Sequence, residues 1–183
     1  MKSQYSWVDS ALCTLSMGWL MITVFSLRVD INQPIDKVHK ALSTQEYWDF
    51  IVAKLSPEPG TVHEFTGNTA VLYEILPTSL LPEAVRAMVS QDLKEKRTVT
   101  IGEVVDDQMS VSFTADVKGT PVDFKGDITY KGQGESTALD YVSEVSVNIP
   151  MMGAAIEPKV AEALQELYTN EGKLTEEWIS NNL

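Results

Sequence analysis

The chain has 183 residues, of which 44% are hydrophobic and 22% charged, as in a globular domain and unlike a disordered, collagenous or multispanning membrane protein. At this length one domain is the default, and its core needs no disulfide or metal for stability. With 14 Lys and Arg against 26 Asp and Glu, the net charge of −12 argues against a nucleic-acid backbone or an anionic membrane surface as partner.

The amino-terminal stretch has no charged residue from Ala11 to Leu27. It is too short and too polar for a transmembrane helix, and it lacks the basic start and the cleavage site of a secretion signal. From Phe25 to Ile31 apolar residues alternate with polar ones, which predicts a half-buried strand. Cleavage within this stretch would destroy that strand.

We therefore predict a loose or mis-started extension over residues 1–20 and a single domain over residues 21–183, with Met21 as a plausible start. The protein is expected to be cytoplasmic, and secretion through the amino-terminal segment is the alternative. Cys13 is the one cysteine, so an intramolecular disulfide is excluded.

Two short helices are predicted after the first strand. Pro34 suits the first turn of a helix, and the apolar residues after it recur at helical spacing. Thr44 suits the cap of a second helix, which ends before the Pro- and Gly-rich residues 56–60. The apolar residues that define the two helices are Ile35, Val38, Ala41 and Leu42, then Tyr47, Trp48, Ile51, Val52 and Leu55.

Extended segments then follow one another with short turns between them, which predicts an antiparallel meander. Residues 78–91 interrupt the series and are compatible with one or two helical turns or with a loop. The predicted strands are 61–67, 69–76, 94–105, 109–117, 122–130 and 139–149.

The last segment changes to helical spacing from Ile156 to Ile179 and predicts one long helix. Gly172 weakens this helix by about 1 kcal/mol and suggests a kink. An apolar sheet face must be covered, and only this helix is large enough to cover it. We therefore predict an α+β fold in which a curved antiparallel sheet of about seven strands wraps around the long helix and encloses a pocket.

Several local motifs over residues 22–183 agree with this architecture. They are Phe25 to Asn32 leading into Pro34, Tyr47-Trp48, the turns Gly119-Thr120-Pro121 and Gly132 to Gly134, and Ile149 to Gly153 followed by Ile156-Glu157. In these motifs the chain resembles the SRPBCC superfamily of START, pollen-allergen-like and polyketide cyclase proteins. Within it, the chain is similar to a mainly actinobacterial domain-of-unknown-function family. The resemblance implies the helix-grip fold and a cavity that, in relatives, holds lipids, sterols, polyketides or other apolar molecules.

Catalytic and metal-binding motifs are not recognisable in the sequence. His39 and His63 are the two histidines, and no HExxH, CxxC or facial-triad spacing accompanies them. No phosphate-binding or nucleophile motif is present either. We therefore predict no metal, no cofactor and no assignable catalytic residue, although Arg97 or a lone inward carboxylate would suit the polarisation of a carbonyl in a cyclase.

The predicted function is binding or carriage of a small hydrophobic ligand, such as a lipid, sterol or polyketide-like molecule, between the sheet and the last helix. No nucleic acid and no stable membrane insertion is expected, and the oligomeric state is open. Two alternatives remain: a cyclase or aromatase-type enzyme that uses the same pocket, and a domain that acts by protein contact and holds no ligand.

Two structural properties separate these functions. Ligand pockets measure about 300–1,000 Å³, whereas a buried titratable cluster favours an enzyme.

Gly126 adds no side chain to the inner face, which indicates open space, a bend or a close approach. The residues predicted to line the pocket are Val99, Phe113, Ala115, Phe124, Gly126, Ile128, Tyr141, Met152, Ile156, Val160 and Leu164.

Overall fold

The computed structural model describes residues 13–17, 20–76, 83–86, 93–149, 151 and 153–183. Its strands are β1 (Cys13–Met17), β2 (Leu20–Ile31), β3 (Thr61–Phe65), β4 (Thr69–Leu76), β5 (Leu93–Ile101), β6 (Gln108–Val117), β7 (Val122–Gly132) and β8 (Thr137–Val147). Its helices are α1 (Ile35–Leu42), α2 (Gln45–Lys54), α3 (Glu83–Arg86) and α4 (Gly153–Asn182).

The strands form one antiparallel sheet in the order β1-β2-β8-β7-β6-β5-β4-β3. Strands β3 to β8 are a meander, as predicted, and β2 joins its far end beside β8. The curved sheet and the long carboxy-terminal helix confirm the predicted α+β helix-grip fold.

The sheet has eight strands because β1, which pairs with β2, comes from the amino-terminal stretch. Part of the predicted extension therefore belongs to the sheet edge. Residues 1–12 and 18–19 lie outside the described residues, and the domain boundary after residue 20 stays a prediction.

Helices α1 and α2 follow the predicted spacing, and the apolar positions of both are buried. Thr44 precedes α2 but makes no side-chain cap; its hydroxyl donates to the carbonyl of Lys40 at 2.7 Å. The indole of Trp48 donates to the carbonyl of Leu42 at 2.8 Å and thereby joins the two helices. Of the ambiguous segment 78–91, only α3 is described.

Helix α4 is continuous through Gly172, where the sequence suggests a kink. A Cβ atom on Gly172 would lie 2.6 Å from a methyl carbon of Val29. The glycine therefore permits a close approach of α4 to β2.

Glu157 fixes the first part of α4 against the sheet. Its buried carboxylate accepts hydrogen bonds from the Thr23 hydroxyl at 2.9 Å and from the backbone N–H of Val147 at 3.1 Å. Both carboxylate oxygens are used, so this buried group is explained by structure alone. No helix in the described part of the chain is both long and apolar enough to cross a membrane.

Candidate functional site

Charged side chains interrupt the apolar inner face of the sheet on β4 and β5. Alternation along β5 places Glu95 and Arg97 on the same buried face as Val99, and Glu74 is buried on β4. Because inward positions recur every second residue, the apolar residues around them fix this orientation. Glu171 of α4 meets these residues from the opposite side.

Arg97 is the centre of this polar cluster, which consists of Glu74, Glu95, Arg97 and Glu171. Its Nε and Nη2 donate to the two carboxylate oxygens of Glu74 at 2.9 and 3.0 Å. Its Nη1 donates to Glu171 at 2.7 Å. The Arg97 side chain is only 7% exposed, so the ion pairs are shielded from water. Loss of one partner would leave an uncompensated buried charge.

Glu95 has no ion-pair partner within 4.0 Å in the described part of the chain. Burial, and secondly the charge of Glu74, raises the pKa of Glu95 to about 8, although Arg97 opposes the shift. Burial also raises the pKa of Glu74, again against the effect of Arg97. Glu95 is therefore mainly protonated at neutral pH and can donate a proton.

The guanidinium of Arg97 stays charged in this environment. Burial alone disfavours its cation, but the carboxylates of Glu171, Glu74 and Glu95 outweigh that effect and raise the pKa of Arg97. The cluster is therefore ionic even though it is buried.

Four buried tyrosines surround the cluster: Tyr47, Tyr130, Tyr141 and Tyr168. Burial raises the pKa of each phenol well above its usual range, so all four remain O–H donors. Tyr47 hydrogen-bonds Thr175 at 2.8 Å, and the Thr175 hydroxyl lies 2.8 Å from the carbonyl of Glu171, to which it donates. Tyr47 is thus fixed to α4.

Tyr168 and Ser143 carry buried hydroxyls without a hydrogen-bond partner in the described residues. The Ser143 hydroxyl is close enough to lower the pKa of Tyr168, but burial outweighs it, and no hydrogen bond of normal geometry joins the two. The Tyr168 ring stacks on Tyr141, with centroids 4.9 Å apart, and meets Phe113 edge-on at 5.6 Å. A buried hydroxyl held in place without a partner is available to a bound molecule.

A cavity of about 20 Å³ lies between the cluster and the aromatic side chains. It has room for one water molecule and is far below the volume of a ligand pocket. Arg97 and Glu171 form its charged side, and Tyr168 is among its aromatic residues. Its other lining residues are Leu42, Tyr47, Trp48, Val99, Val111, Phe113, Ile128, Tyr130, Leu139, Tyr141, Gly172 and Thr175.

The predicted pocket residues separate into groups. Val99, Phe113, Ile128 and Tyr141 line the cavity. Ala115, Phe124, Ile156, Val160 and Leu164 are buried in the core but do not line it. Met152 lies outside the described residues. Contact of any of these residues with a ligand stays a prediction.

Gly126 marks a close approach and not open space. A Cβ atom there would lie 2.8 Å from both the Phe113 ring and the backbone oxygen of Val142, and 2.7 Å from the Ser143 hydroxyl. The glycine is therefore required by its neighbours on β6 and β8.

Gly126→Ala is accordingly expected to lower the free energy of unfolding by about 1–3 kcal/mol, because a backbone oxygen cannot move as a side chain can. Urea titration measures this change. Asp127→Ala, at the exposed position next to it, is the control and should change stability little. Unchanged stability in Gly126→Ala would contradict the close packing.

Two larger depressions, of about 620 and 600 Å³, lie mainly along exposed residues of the strands and share Lys96 and Asp116. They are open and mixed in charge, and neither contains the four buried tyrosines. The depression of about 620 Å³ includes Glu74 and Glu95 of the polar cluster among its lining residues. In the described residues no group of three His, Cys, Asp or Glu is placed to hold a metal ion.

Sequence comparison matches this chain to a family of proteins. A model of the family described as "Protein of unknown function (DUF2505)" matches residues 26–179. The uncharacterized protein Rv0481c of Mycobacterium tuberculosis strain H37Rv is 24% identical over 170 residues, which cover 87% of this chain and 98% of that protein. The uncharacterized protein Mb0491c of Mycobacterium bovis has the same identity and coverage.

Solved structures share the fold. The protein TTHA0849 from Thermus thermophilus has a TM-score of 0.60 at 14% identity and covers 86% of this chain and 97% of its own. Ara h 8.0201 has a TM-score of 0.56 at 11% identity, with coverages of 88% and 99%. The Zhui aromatase/cyclase from Streptomyces sp. R1128 has a TM-score of 0.52 at 11% identity, with coverages of 86% and 91%. These similarities are similarities of fold, and they agree with the predicted helix-grip architecture.

Proposed function

We propose that this chain, which belongs to the DUF2505 family of proteins of unknown function, binds a small molecule between the sheet and α4. The ligand has an apolar body, which contacts the aromatic lining, and one polar group, which contacts the polar cluster. The fold shared with the Zhui aromatase/cyclase and Ara h 8.0201 is compatible with this function.

The single observation that carries the proposal is the polar lining of the internal cavity. Arg97 and Glu171 border it together with the unpartnered hydroxyl of Tyr168. A buried ion pair is often no more stabilising than apolar residues of the same volume, so packing does not account for it. Convergent polar groups in an aromatic enclosure are typical of a ligand site.

A cavity of about 20 Å³ is too small for such a ligand and, by volume alone, fits a domain that acts by protein contact. The proposed binding therefore needs a second, more open form of the protein. It requires α4 and the aromatic side chains to move away from the sheet. We propose that the ligand stabilises a more open form, which it can do only by binding that form more tightly than the closed one.

Two substitutions at Val111 test the location of the site, because they should change the binding affinity in opposite directions. Val111 is buried and lines the cavity. Val111→Ala enlarges the cavity and should tighten binding of the neutral dye Nile red, whereas Val111→Phe fills it and should weaken binding. Val142→Ala, on the exposed side of β8, is the control and should bind as the unchanged chain does.

Native mass spectrometry and organic extraction of freshly purified protein complete the test. A stoichiometric small molecule, or dye binding that follows the two Val111 variants, supports the proposal. If no molecule co-purifies and Nile red does not bind, the domain acts by protein contact without a ligand.

A second candidate function, a cyclase-type enzyme, is favoured by Glu95. Its pKa, raised to about 8, suits a general acid. Glu95 does not line the internal cavity, so this role requires the more open form to bring the ligand to it. The extracted molecule, incubated with fresh protein, would then be converted to a product one water lighter. Glu95→Gln should abolish that conversion and retain binding; binding without conversion leaves the carrier function.

A further inference from the structure

We infer that the site selects ligands by charge: its polar group is a cation or a neutral hydrogen-bond donor, and molecules that end in a carboxylate or phosphate are rejected. The inference rests on the proposed function and names the ligand class of that same site.

The charges of the polar cluster do not balance. Three carboxyl groups, from Glu74, Glu95 and Glu171, face one guanidinium, from Arg97, in the described residues. Both oxygens of Glu74 accept from Arg97 at 2.9 and 3.0 Å, which is the geometry of an ionised pair. With Glu95 protonated, the carboxylates of Glu74 and Glu171 therefore share one cation. The lysines of β5, Lys94 and Lys96, are exposed on the other face of the sheet and do not offset this charge.

Arg97 has only one N–H on Nη1 and one on Nη2 left for a further acceptor, because the other three are used. Its two Glu74 hydrogen bonds and its Glu171 hydrogen bond use Nε, Nη1 and Nη2. An arriving carboxylate would have to compete with two carboxylates that are already bound and buried. Like charges in a shielded site repel more strongly than in water.

The excess negative charge extends into the cavity. After burial, the charge of Glu171 helps to raise the pKa of Tyr47, Tyr130 and Tyr141. Arg97 lowers the pKa of Tyr47 and Tyr130, but its effect on both is smaller than that of Glu171. The carboxylate of Glu171 that disfavours a phenolate in the cavity also disfavours a ligand carboxylate in the same space.

Tyr168 supplies an independent indication of a ligand in this space. It is 2% exposed and lines the cavity beside Glu171. The Ser143 hydroxyl lies near the Tyr168 hydroxyl, but no hydrogen bond of normal geometry joins the two, and none joins any other described residue to the Tyr168 oxygen. A ligand ammonium can donate both to this oxygen and to a carboxylate oxygen of Glu171, and a ligand hydroxyl can donate to Glu171 while it accepts from Tyr168. A ligand carboxylate could accept from Tyr168 but only repel Glu171, so the selection by charge comes from Glu171.

Three probes with one ring system test the inference at pH 7. They are 2-naphthylmethylamine, a cation, 2-naphthylmethanol, which is neutral, and 2-naphthoate, an anion. Calorimetric titration is expected to rank their affinities in that order, with the amine about tenfold or more tighter than the acid, since one close buried charge is worth at least that factor.

Glu171→Gln removes one carboxylate of the cavity lining and should reduce the ratio of amine to acid affinity by about tenfold. Glu166→Gln removes the same charge from an exposed position on the same helix and should leave the ratio unchanged. If Glu171→Gln does not fold, the ranking of the three affinities in the unchanged chain still tests the charge selection.

The possible results distinguish failure of the charge selection from failure of the proposed ligand binding. Binding of 2-naphthoate as tight as, or tighter than, that of the amine overturns the charge selection and leaves the proposed ligand function intact. The charge selection is also wrong if Nile red binds and none of the three probes does. Absence of binding by Nile red and all three probes overturns both.

Discussion

Arg97→Met is expected to lower the free energy of unfolding by about 3–5 kcal/mol. The substitution keeps an unbranched side chain of similar reach but removes the only cation of the polar cluster in the described residues. Glu74 and Glu171 would then be left as buried carboxylates without their partner. Urea titration at pH 7 measures the loss. Arg28→Met is the control, because Arg28 pairs with Asp30 at the surface, where such pairs contribute little.

Substitution of the whole cluster distinguishes repulsion from lost packing. Arg97→Met combined with Glu74→Met and Glu171→Met removes the uncompensated charges, and most of the lost stability should return. If the single Arg97→Met variant is as stable as the unchanged chain, the ion pairs do not order this part of the interior. If the triple variant is no more stable than the single one, the loss comes from packing and not from charge.

The phase of β4 explains why the sequence does not predict that Glu74 is buried. In residues 69–76 the larger apolar residues Val71, Tyr73 and Ile75 alternate, and their pattern predicts that they face the core. The structure instead buries Leu72 and Glu74 on the inner face, whereas Tyr73 is 41% exposed. A strand with apolar residues in both phases does not fix its own orientation; pairing with its neighbours does.

The sequence of β5 does indicate part of the polar cluster. Once Val99 is assigned to the inner face, the two-residue period places Arg97 and Glu95 beside it. The sequence predicts Val99 in the pocket and Arg97 as a candidate polar residue, but it indicates no second charged partner. Glu171 lies three residues beyond Tyr168 on α4, so helical spacing puts both on one face. The contact between Arg97 and Glu171 joins residues 74 positions apart and follows only from the fold.

The size of the cavity was beyond prediction from the sequence. The apolar alternation of β6 and β7 correctly places Phe113 and Ile128 inside. The inward residues could enclose a cavity of hundreds of Å³ or one that holds a single water molecule. The volume depends on how the side chains pack together, and neither composition nor the alternation of apolar residues determines that packing. Gly126 and Gly172 illustrate this: each position where a side chain is missing is occupied by a neighbour and not by space.

Glu95→Gln is expected to change how stability depends on pH. In the unfolded chain the carboxyl ionises near its ordinary pKa of 4.5, whereas in the native protein its pKa is raised to about 8. Between these values the native state holds a proton that the unfolded state has released. Stability of the unchanged chain therefore falls as pH rises from about 4.5 to 8, and this contribution levels off above 8.

The amide of Glu95→Gln cannot ionise, so the variant should lack this contribution, which amounts to about 3–5 kcal/mol for a shift of this size. Urea titrations at intervals from pH 5 to 9 measure it as a growing difference between the two curves, with the variant relatively more stable at high pH. Glu103→Gln, at an exposed position, should give a curve parallel to that of the unchanged chain. Parallel curves for Glu95→Gln as well would mean that Glu95 is ionised in the native protein at neutral pH, and the general-acid role would then be wrong.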